Sequence, residues 1–333
     1  MNLKKRIELL VALGDFLKSD TEEYQNIRSR AYFENKWFTP EYSLHAGIQI
    51  AENMLRPDLL EDFVKTYNVP DNQKKDQTIG LVMAGNIPYV GFHDFLCVFL
   101  SGYRQRIKLS SKDNALTKNI LDVAIKLDSE ILEWVRIDEM LKGCHAYIAT
   151  GSDNSARYFE YYFNKYPHII RRNRTSIAIL DGSETPEELE LLADDIHLYF
   201  GLGCRNVTQI KVPEEYDFVP LLNALRKYGF YADHEKYRNN FDYQLTIAIM
   251  NNRFYMSNDS IVLIENKSPF SPISQLHYEY YSEKQAAVSD IDSSKIQCLV
   301  GHGFLPFGMA QQPGLTDFPD GVDTMNFLLG QMT

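Results

Sequence analysis

The strongest constraint on the fold is a series of short apolar runs that alternate with helical segments between residues 78 and 182. The run TIGLVMAG (78–85) ends in glycine, as a buried parallel strand often does. The alternation of such runs with helical spacing is typical of a parallel sheet covered on both faces. Strands are predicted at 78–85, 105–110, 145–152 and 175–182, and helices at 89–102, 114–126 and 153–165. We therefore predict an α/β fold.

The alternation of helices and strands continues after Thr185, whereas the N-terminal region is helical and the C-terminal tail is irregular. The first 70 residues have apolar positions at helical spacing, and a polar spacer follows at 70–77. The tail from Gly301 is rich in Gly and Pro and has little periodicity, so we predict a loop there. After Thr185 we predict helices at 185–200, 215–229 and 241–251, and strands at 207–212, 260–265, 274–282 and 296–300.

Composition limits the class of protein. The 333 residues are 44% hydrophobic, which is enough for two packed domains. There are 45 acidic and 34 basic residues, which give a net charge of −11. A protein that binds duplex nucleic acid is usually basic, so we do not expect nucleic acid as a partner. No apolar run is long enough to predict a transmembrane helix. The N-terminal apolar stretch is interrupted by Asp15 and Lys18, so we expect an amphipathic helix rather than a signal peptide.

Cysteine and histidine spacing argues against a metal centre. The four cysteines form no CxxC pair, so neither a disulfide framework nor a zinc site is predicted, and a reduced, cytoplasmic protein is the simplest inference. The eight histidines show no HExxH or paired spacing, and we predict no metal site. Cys97, Cys144 and Cys298 are expected in the core. His302 is the one histidine expected near a functional site.

Short polar motifs follow several strands, and their order along the chain is informative. They are AGNIP (84–88), IKLSS (107–111), ATGSDNSARYF (149–159), GLGCRN (201–206) and PFG (306–308). In this order the chain resembles the aldehyde dehydrogenase superfamily. It is most similar to the acyl-CoA reductase branch, the LuxC-type thioester reductases that make fatty aldehydes. The resemblance covers roughly residues 78–330.

The resemblance implies an aldehyde-dehydrogenase-like fold with a Rossmann-type cofactor domain and a second α/β catalytic domain. The corresponding boundaries are 1–175 for the helical segment and NAD(P)-binding domain, and 176–300 for the catalytic domain. Residues 301–333 would form a C-terminal segment that packs back on the cleft. The active site is expected in that cleft, between the Asn86 loop and the Cys204 loop.

The resemblance also assigns catalytic roles. Cys204 falls on the nucleophile, and Asn86 falls on the asparagine whose side-chain N–H stabilises the oxyanion. A cysteine at a loop-to-helix turn can have a lowered thiol pKa and can aim its own N–H at the oxyanion. Each residue also has a structural interpretation from its local sequence. Cys204 could be a small buried side chain at a turn, and Asn86 could cap a helix or turn.

The same resemblance assigns the cofactor site to Lys108, Ser110, Ser111, Gly151 and Ser152. A helix that begins after a glycine offers N–H groups and a positive dipole end to phosphate. Ser111 stands where NAD-preferring members carry an acid, so a 2′-phosphate is tolerable and NADPH is expected, with NADH also accepted. Lys108 could instead be an ordinary strand-end lysine, and Gly151–Ser152 a plain turn with a serine cap.

Two departures from the family pattern bear on the reaction. Ordinary aldehyde dehydrogenases carry a glutamate, just before the strand matching 175–182, that activates water. Arg171 or Arg172 stands there in this chain, so hydrolysis would lack its general base, which a reductase does not need. The later glutamate that holds the nicotinamide ribose has no clear equivalent in 266–274. The basic run 171–174 could grip a CoA phosphate or form a solvated turn.

The main hypothesis is therefore an NADPH-dependent reduction of an acyl-CoA or acyl-carrier thioester to aldehyde. A non-catalytic nucleotide-binding or scaffold subunit with this fold is the alternative from another class. An aldehyde-oxidising dehydrogenase is a third reading if another acid replaces the missing glutamate. The sequence leaves open whether the chain forms a homo-oligomer or receives acyl groups from a partner synthetase.

Overall fold

The computed structural model describes residues 1–72 and 77–330, which form two compact units. The first unit comprises Met1–Asn173 and the chain from Pro313 onward, and the second comprises Arg174–Gln312. Residues 73–76 of the predicted polar spacer lie outside the described residues. The role of the C-terminal segment in covering a cleft stays a prediction.

The described part of the first unit contains a five-stranded parallel sheet with the order β3-β2-β1-β4-β5. Its strands are β1 (Thr78–Val82), β2 (Arg104–Lys108), β3 (Val135–Ile137), β4 (Ala146–Thr150) and β5 (His168–Arg171). Its helices are α1 (Leu3–Lys18), α2 (Glu22–Glu34), α3 (Pro40–Asn53), α4 (Pro57–Thr66), α5 (Phe92–Leu100), α6 (Ala115–Leu127), α7 (Asp153–Phe163) and α12 (Thr324–Gly330). The α/β class is confirmed. Strands β3 and β5 were not predicted, because three or four residues carry too little periodicity.

The N-terminal helices begin where the sequence supplies capping residues. Asn2, Thr21 and Thr39 each accept a hydrogen bond from the backbone N–H three residues later, at the starts of α1, α2 and α3. All nine residues of α5 are buried, as expected for a helix that is apolar on most sides. One of them, Asp94, is charged and therefore needs a partner.

That partner is Arg171 at the end of β5. Its Nη2 donates to Asp94 Oδ1 at 2.7 Å and its Nε donates to Oδ2 at 3.1 Å, with both side chains buried. Arg171 also donates to the Pro319 carbonyl and, at 2.8 Å, to Thr324 Oγ1. Burial disfavours the charged carboxylate, but the arginine outweighs this and lowers the pKa of Asp94 below its usual value. The alternative of a solvated basic turn is therefore wrong for Arg171.

The described part of the second unit contains a six-stranded sheet with the order β11-β6-β7-β10-β9-β8. Only β8 is antiparallel to its neighbour. The strands are β6 (Thr175–Ile179), β7 (Val207–Pro213), β8 (Met256–Ser257), β9 (Val262–Glu265), β10 (Gln275–Tyr281) and β11 (Ile296–Gly301). The helices are α8 (Pro186–His197), α9 (Phe218–Leu225), α10 (Glu235–Met250) and α11 (Lys284–Ser289).

Three predicted elements differ from the observed ones. The helix predicted at 215–229 is α9 followed by a 3-10 segment at Arg226–Asp233, and the helix predicted at 241–251 begins earlier, as α10. The C-terminal tail, predicted as a loop, contains α12. Thr324, at its start, contacts Arg171, so a tertiary contact supports a helix that local periodicity does not indicate.

Two further predictions concern membrane-spanning helices and the burial of the cysteines. Within the described ranges, no helix is both long and apolar enough to span a bilayer. All four cysteines are free. Cys97 and Cys144 are buried, as predicted, but Cys298 is half-buried because β11 is an edge strand.

A neutral histidine lies in the core of the second unit at the end of α8. The His197 ring stacks on Tyr228 with centroids 4.6 Å apart, and its Nδ1 lies 3.1 Å from the Ala193 carbonyl oxygen. Burial lowers the pKa of His197 from 6.5 to about 4. Hence Nδ1–H donates to Ala193, and the ring stays uncharged at neutral pH.

Arg171→Leu is expected to lower the free energy of unfolding by about 3–5 kcal/mol, because it leaves the Asp94 carboxylate buried without its counter-charge. Arg172→Leu is the matched control, since its ion pair with Glu160 is exposed and screened. Urea unfolding of both variants measures the difference. Equal losses for the two substitutions would contradict a special role for the buried pair.

His197→Phe is expected to flatten the pH dependence of stability below pH 6.5. The unfolded chain protonates His197 near its usual pKa of 6.5, whereas the folded chain keeps it neutral down to about pH 4. The wild-type protein therefore loses up to about 1.4 kcal/mol per pH unit, relative to the variant, as the pH falls through this window. Parallel stability curves for the two proteins would show that His197 carries the same charge folded and unfolded.

Candidate active site

The predicted cofactor residues of the first unit lie at one edge of its sheet. Strand β1 pairs in parallel with both β2 and β4, with Val82 opposite Lys108 and also opposite Ala149. The loops that follow these strands therefore start side by side at the carboxyl edge, where open parallel sheets bind ligands. The β1 loop carries Asn86, the β2 loop carries the predicted serines, and the β4 loop carries Gly151 and Ser152.

Gly85 brings the β1 and β2 loops into contact. A Cβ atom at Gly85 would lie 2.7 Å from Ser110 Oγ and 2.9 Å from the Asp113 backbone N. Only glycine fits this approach. Ser110 Oγ also accepts a hydrogen bond from the Lys112 N–H at 3.2 Å. Ser110 therefore shapes the loop, while Lys108 and Ser111 are exposed.

Asp113 is a buried acid that sequence reasoning missed. Its Oδ2 accepts hydrogen bonds from the Tyr89 N–H at 3.1 Å and from Thr117 Oγ1 at 3.3 Å. Tyr89 has a left-handed backbone, with φ 57°. Burial raises the pKa of Asp113 to about 6, although these donors favour the charged form. The carboxyl group thus joins the Asn86 loop to the start of α6, and an Asp directly before a helix was the available signal.

Gly151 and Ser152 form the start of α7. Ser152 Oγ accepts the Ser155 N–H at 3.4 Å, so the serine caps the helix. A Cβ atom at Gly151 would lie 2.8 Å from Ser155 Cβ, so glycine allows strand and helix to approach closely. A serine cap is compatible with phosphate binding at the remaining N–H groups of the first turn. The assignment of both residues to the cofactor stays a prediction.

Cys204 belongs to the second unit and lies in a tight turn before β7. The Asn206 N–H donates to the Gly203 carbonyl at 3.2 Å, so residues 203–206 form a β-turn with Cys204 at its second position. Cys204 is half-buried. The chain continues into a strand, so the expected loop-to-helix turn is wrong. A helix dipole from a following helix therefore does not act on this thiol.

The segment leading to this turn has an unusual backbone. Tyr199 and Phe200 have φ values of 56° and 59°, and Gly201 follows at 72°. Left-handed non-glycine residues cost on the order of 1–2 kcal/mol each. Both aromatic side chains are buried, and the Phe200 ring lies 4.5 Å from that of Tyr231. Burial of these rings offsets the strain.

Ser176, on β6, links the Cys204 turn to a second cysteine. Its Oγ donates to the Cys204 carbonyl at 3.2 Å and lies 3.0 Å from Cys298 Sγ. Thr208, the second residue of β7, donates from Oγ1 to the Pro269 carbonyl at 2.5 Å. The amino ends of β6 and β7 and the loop after β9 thus meet around the turn.

The PFG segment is anchored to α8 by Asp195. The Gly308 N–H donates to Oδ2 at 2.7 Å and the Ala310 N–H donates to Oδ1 at 3.0 Å. Burial raises the pKa of Asp195 to about 7, against the opposite effect of these two donors. Gln311 Nε2 donates to the Asp195 backbone carbonyl at 3.4 Å. Both groups of Asp195 therefore hold the 306–311 segment.

His302 lies at the other end of β6 from the Cys204 turn, and its expected place near a functional site stays a prediction. Its Nδ1 lies 3.1 Å from Asp181 Oδ2 and its Nε2 lies 3.0 Å from Glu188 Oε1, and these contacts raise its pKa. Asp181 follows the carboxyl end of β6, whereas Cys204 contacts Ser176 near its amino end. The five-residue strand separates the two sites by about 15 Å.

The same group includes three residues that could in principle hold a metal ion, namely Asp181, Glu184 and His302. Glu184 already accepts the N–H groups of Asp181 and Gly182, at 2.6 and 3.2 Å. Lys284 Nζ lies 3.2 Å from Asp181 Oδ2 and supplies the positive charge. Hydrogen bonds from the backbone therefore account for Glu184, and salt bridges account for Asp181 and His302.

Comparisons with known proteins give a match in structure alone. No family model matches the chain, and no curated protein sequence matches it significantly. Succinic semialdehyde dehydrogenase from Streptococcus pyogenes, solved in complex with NADP+, is similar with a TM-score of 0.64 and 14% identity. The match covers 86% of this chain and 74% of that chain.

Two further solved structures give the same picture. NADP-dependent glyceraldehyde-3-phosphate dehydrogenase from Bacillus halodurans has a TM-score of 0.64 and 11% identity, over 90% of this chain and 74% of that chain. A putative aldehyde dehydrogenase from Burkholderia cenocepacia has a TM-score of 0.63 and 11% identity, over 87% of this chain and 72% of that chain. Sequence identities this low show similarity of fold alone. This chain therefore has the aldehyde dehydrogenase fold, as the sequence predicted.

Proposed function

We propose that this protein reduces an acyl thioester to an aldehyde, using NADPH and an acyl group held on Cys204. The proposal rests on the charge and the burial of Arg171. The resemblance puts the water-activating glutamate of aldehyde dehydrogenases at Arg171 or Arg172, and Arg171 is buried in a bidentate ion pair. A guanidinium remains protonated and cannot act as a general base. An acyl-enzyme formed here would therefore await reduction rather than hydrolysis.

The residues at the carboxyl edge of the first sheet fit a dinucleotide. A Cβ at Gly85 would clash with Ser110 and with the Asp113 backbone, so the β1 and β2 loops lie close together. A Cβ at Gly151 would clash with Ser155, so the end of β4 lies close to α7. The first turn of α7 offers N–H groups to a pyrophosphate, and the exposed Lys108 ends β2. These residues would hold NADPH, with NADH as a second donor, and the bound nicotinamide would supply the hydride.

The chain's own residues would carry the acyl transfer. The Cys204 thiolate attacks the thioester carbonyl carbon and forms a new C–S bond. The bond from that carbon to the CoA or carrier sulfur then breaks, and the leaving thiolate takes the electron pair. The Asn86 amide and the Cys204 N–H are proposed to donate hydrogen bonds to the oxyanion. After reduction of the acyl carbon, Cys204 leaves as thiolate and the aldehyde is released.

Aldehyde oxidation is the second candidate, and the names of the similar solved structures favour it. It uses the same fold, the same class of cofactor and the same nucleophile. It also requires an acid that activates water, for which Arg171 is unsuitable. A non-catalytic scaffold role is the third, and it predicts binding without turnover. The acyl-CoA or acyl-carrier substrate, the homo-oligomer or synthetase partner and the cytoplasmic location all remain part of the proposal.

Incubation with acyl-CoA and NADPH should give loss of cofactor absorbance that depends on the acyl-CoA. Cys204→Ser is expected to abolish this turnover while retaining NADPH binding, because a hydroxyl is a far weaker nucleophile than a thiolate. Cys298→Ser is the matched control, since it is half-buried in the same unit, and it should keep its activity. Turnover only with aldehyde and oxidised cofactor would favour the second candidate. Cofactor binding without turnover would favour the scaffold.

Ser111→Glu is expected to reverse the cofactor preference from NADPH to NADH. A carboxylate at this exposed position would repel the 2′-phosphate and accept hydrogen bonds from the ribose hydroxyls. Fluorescence titration with each cofactor gives the two dissociation constants. Ser289→Glu, exposed in the second unit, adds the same charge elsewhere and should leave the ratio unchanged. An unchanged ratio in Ser111→Glu would show that this loop does not contact the ribose.

A further inference from the structure

We propose that Asn206 is a positioning residue for Cys204, an inference that rests on the proposed role of Cys204 as the nucleophile. Asn206 lies two residues after Cys204 and is fully buried. The sequence motif GLGCRN contains it, but nothing in its local pattern indicates a role. Its importance follows from the number and the origin of its hydrogen-bond partners.

The side chain of Asn206 holds both ends of the loop. Its Oδ1 accepts the Gly203 N–H at 2.8 Å, directly before Cys204. Its Nδ2 lies 2.9 Å from the Leu198 carbonyl and 3.2 Å from those of Asp195 and Ile196. A single amide thus joins the Cys204 turn to the last turn of α8.

The backbone of Asn206 fixes the other side of the turn. Its N–H donates to the Gly203 carbonyl, and its carbonyl accepts the Ser176 N–H at 3.1 Å and Thr175 Oγ1 at 3.3 Å. Cys204 is therefore enclosed between Gly203 and Asn206, which are bonded to each other by both backbone and side chain. A buried network in which each polar group has a partner favours one conformation over the alternatives.

The strained segment explains why such a device is needed. Tyr199 and Phe200 adopt left-handed backbone conformations, which are unfavourable for residues other than glycine. Asn206 Nδ2 donates a hydrogen bond to the carbonyl of Leu198, the residue just before them. Backbone strain persists only where the surrounding contacts over-determine it. Without the amide, the loop can relax toward ordinary backbone angles, and the fraction of molecules with the competent Cys204 turn falls. The apparent reactivity of the thiol falls in proportion to that fraction.

Asn206→Ala tests this role, with Asn258→Ala as the matched control. Asn258 is also buried in the second unit, donates to the Leu222 carbonyl at 2.9 Å and accepts from the Ile261 N–H at 3.2 Å. Both variants should lose stability. Only Asn206→Ala should lower kcat, by about 10²-fold, the size expected for a small misplacement of a reacting group. KM and NADPH affinity should stay within about twofold, because a positioning defect acts on the reacting geometry.

A second readout keeps this test independent of the proposed reaction. Iodoacetamide alkylation, followed by mass spectrometry, compares the rate at Cys204 with the rate at Cys298 in the same molecule. The Cys204 to Cys298 ratio should fall about 10²-fold in Asn206→Ala, as kcat does, because both follow the fraction of molecules with the competent turn, and it should stay unchanged in Asn258→Ala. If wild-type protein reduces no acyl thioester, the proposed function fails while this ratio still decides the role of Asn206. A wild-type ratio in a folded Asn206→Ala variant overturns the inference.

Discussion

The buried ion pair between Asp94 and Arg171 joins three separate parts of the first unit. It joins a helix buried on all sides, α5, to the edge strand β5, and it extends to the C-terminal chain through Pro319 and Thr324. A charge placed in so apolar a helix is tolerated only with a partner of this kind. The sequence resemblance puts the general base of a hydrolytic relative at this arginine or at Arg172. One residue thus links the stability of the unit to the proposed choice of reduction over hydrolysis.

In the second unit, several hydrogen bonds meet at the last turn of α8. Asp195 holds the 306–311 segment with its carboxylate, while its backbone carbonyl accepts hydrogen bonds from Gln311 and from Asn206. His197, two residues later, remains neutral because it is buried. Fixed, water-excluded surroundings of this kind preorganise a reactive group without demanding rearrangement during the reaction. The proposed reactivity of Cys204 would therefore depend on a rigid turn, because the chain continues from this turn into a strand and not into a helix.

Much of the fold could be predicted from the sequence because apolar runs and glycines report burial and turns directly. TIGLVMAG and two later apolar runs predicted β1, β2 and β4, three of the five strands of the first sheet, and the run at 207–212 predicted β7. Asn206 could not be assigned a role, since the carbonyl groups that accept from its Nδ2 lie 8 to 11 residues upstream and meet it through the left-handed path of Tyr199 and Phe200. Propensities do not predict such a path. The contacts of His302 likewise depend on which end of β6 each loop reaches.

The proposed reaction requires the substrate to acylate Cys204. Brief exposure to acyl-CoA without NADPH, followed by proteolysis and mass spectrometry, detects this step, because no reduction then removes the acyl group. A mass increase of one acyl group is expected on the peptide containing Cys204. An adduct on Cys97, Cys144 or Cys298 instead, with Cys204 unmodified, would show that Cys204 is not the nucleophile.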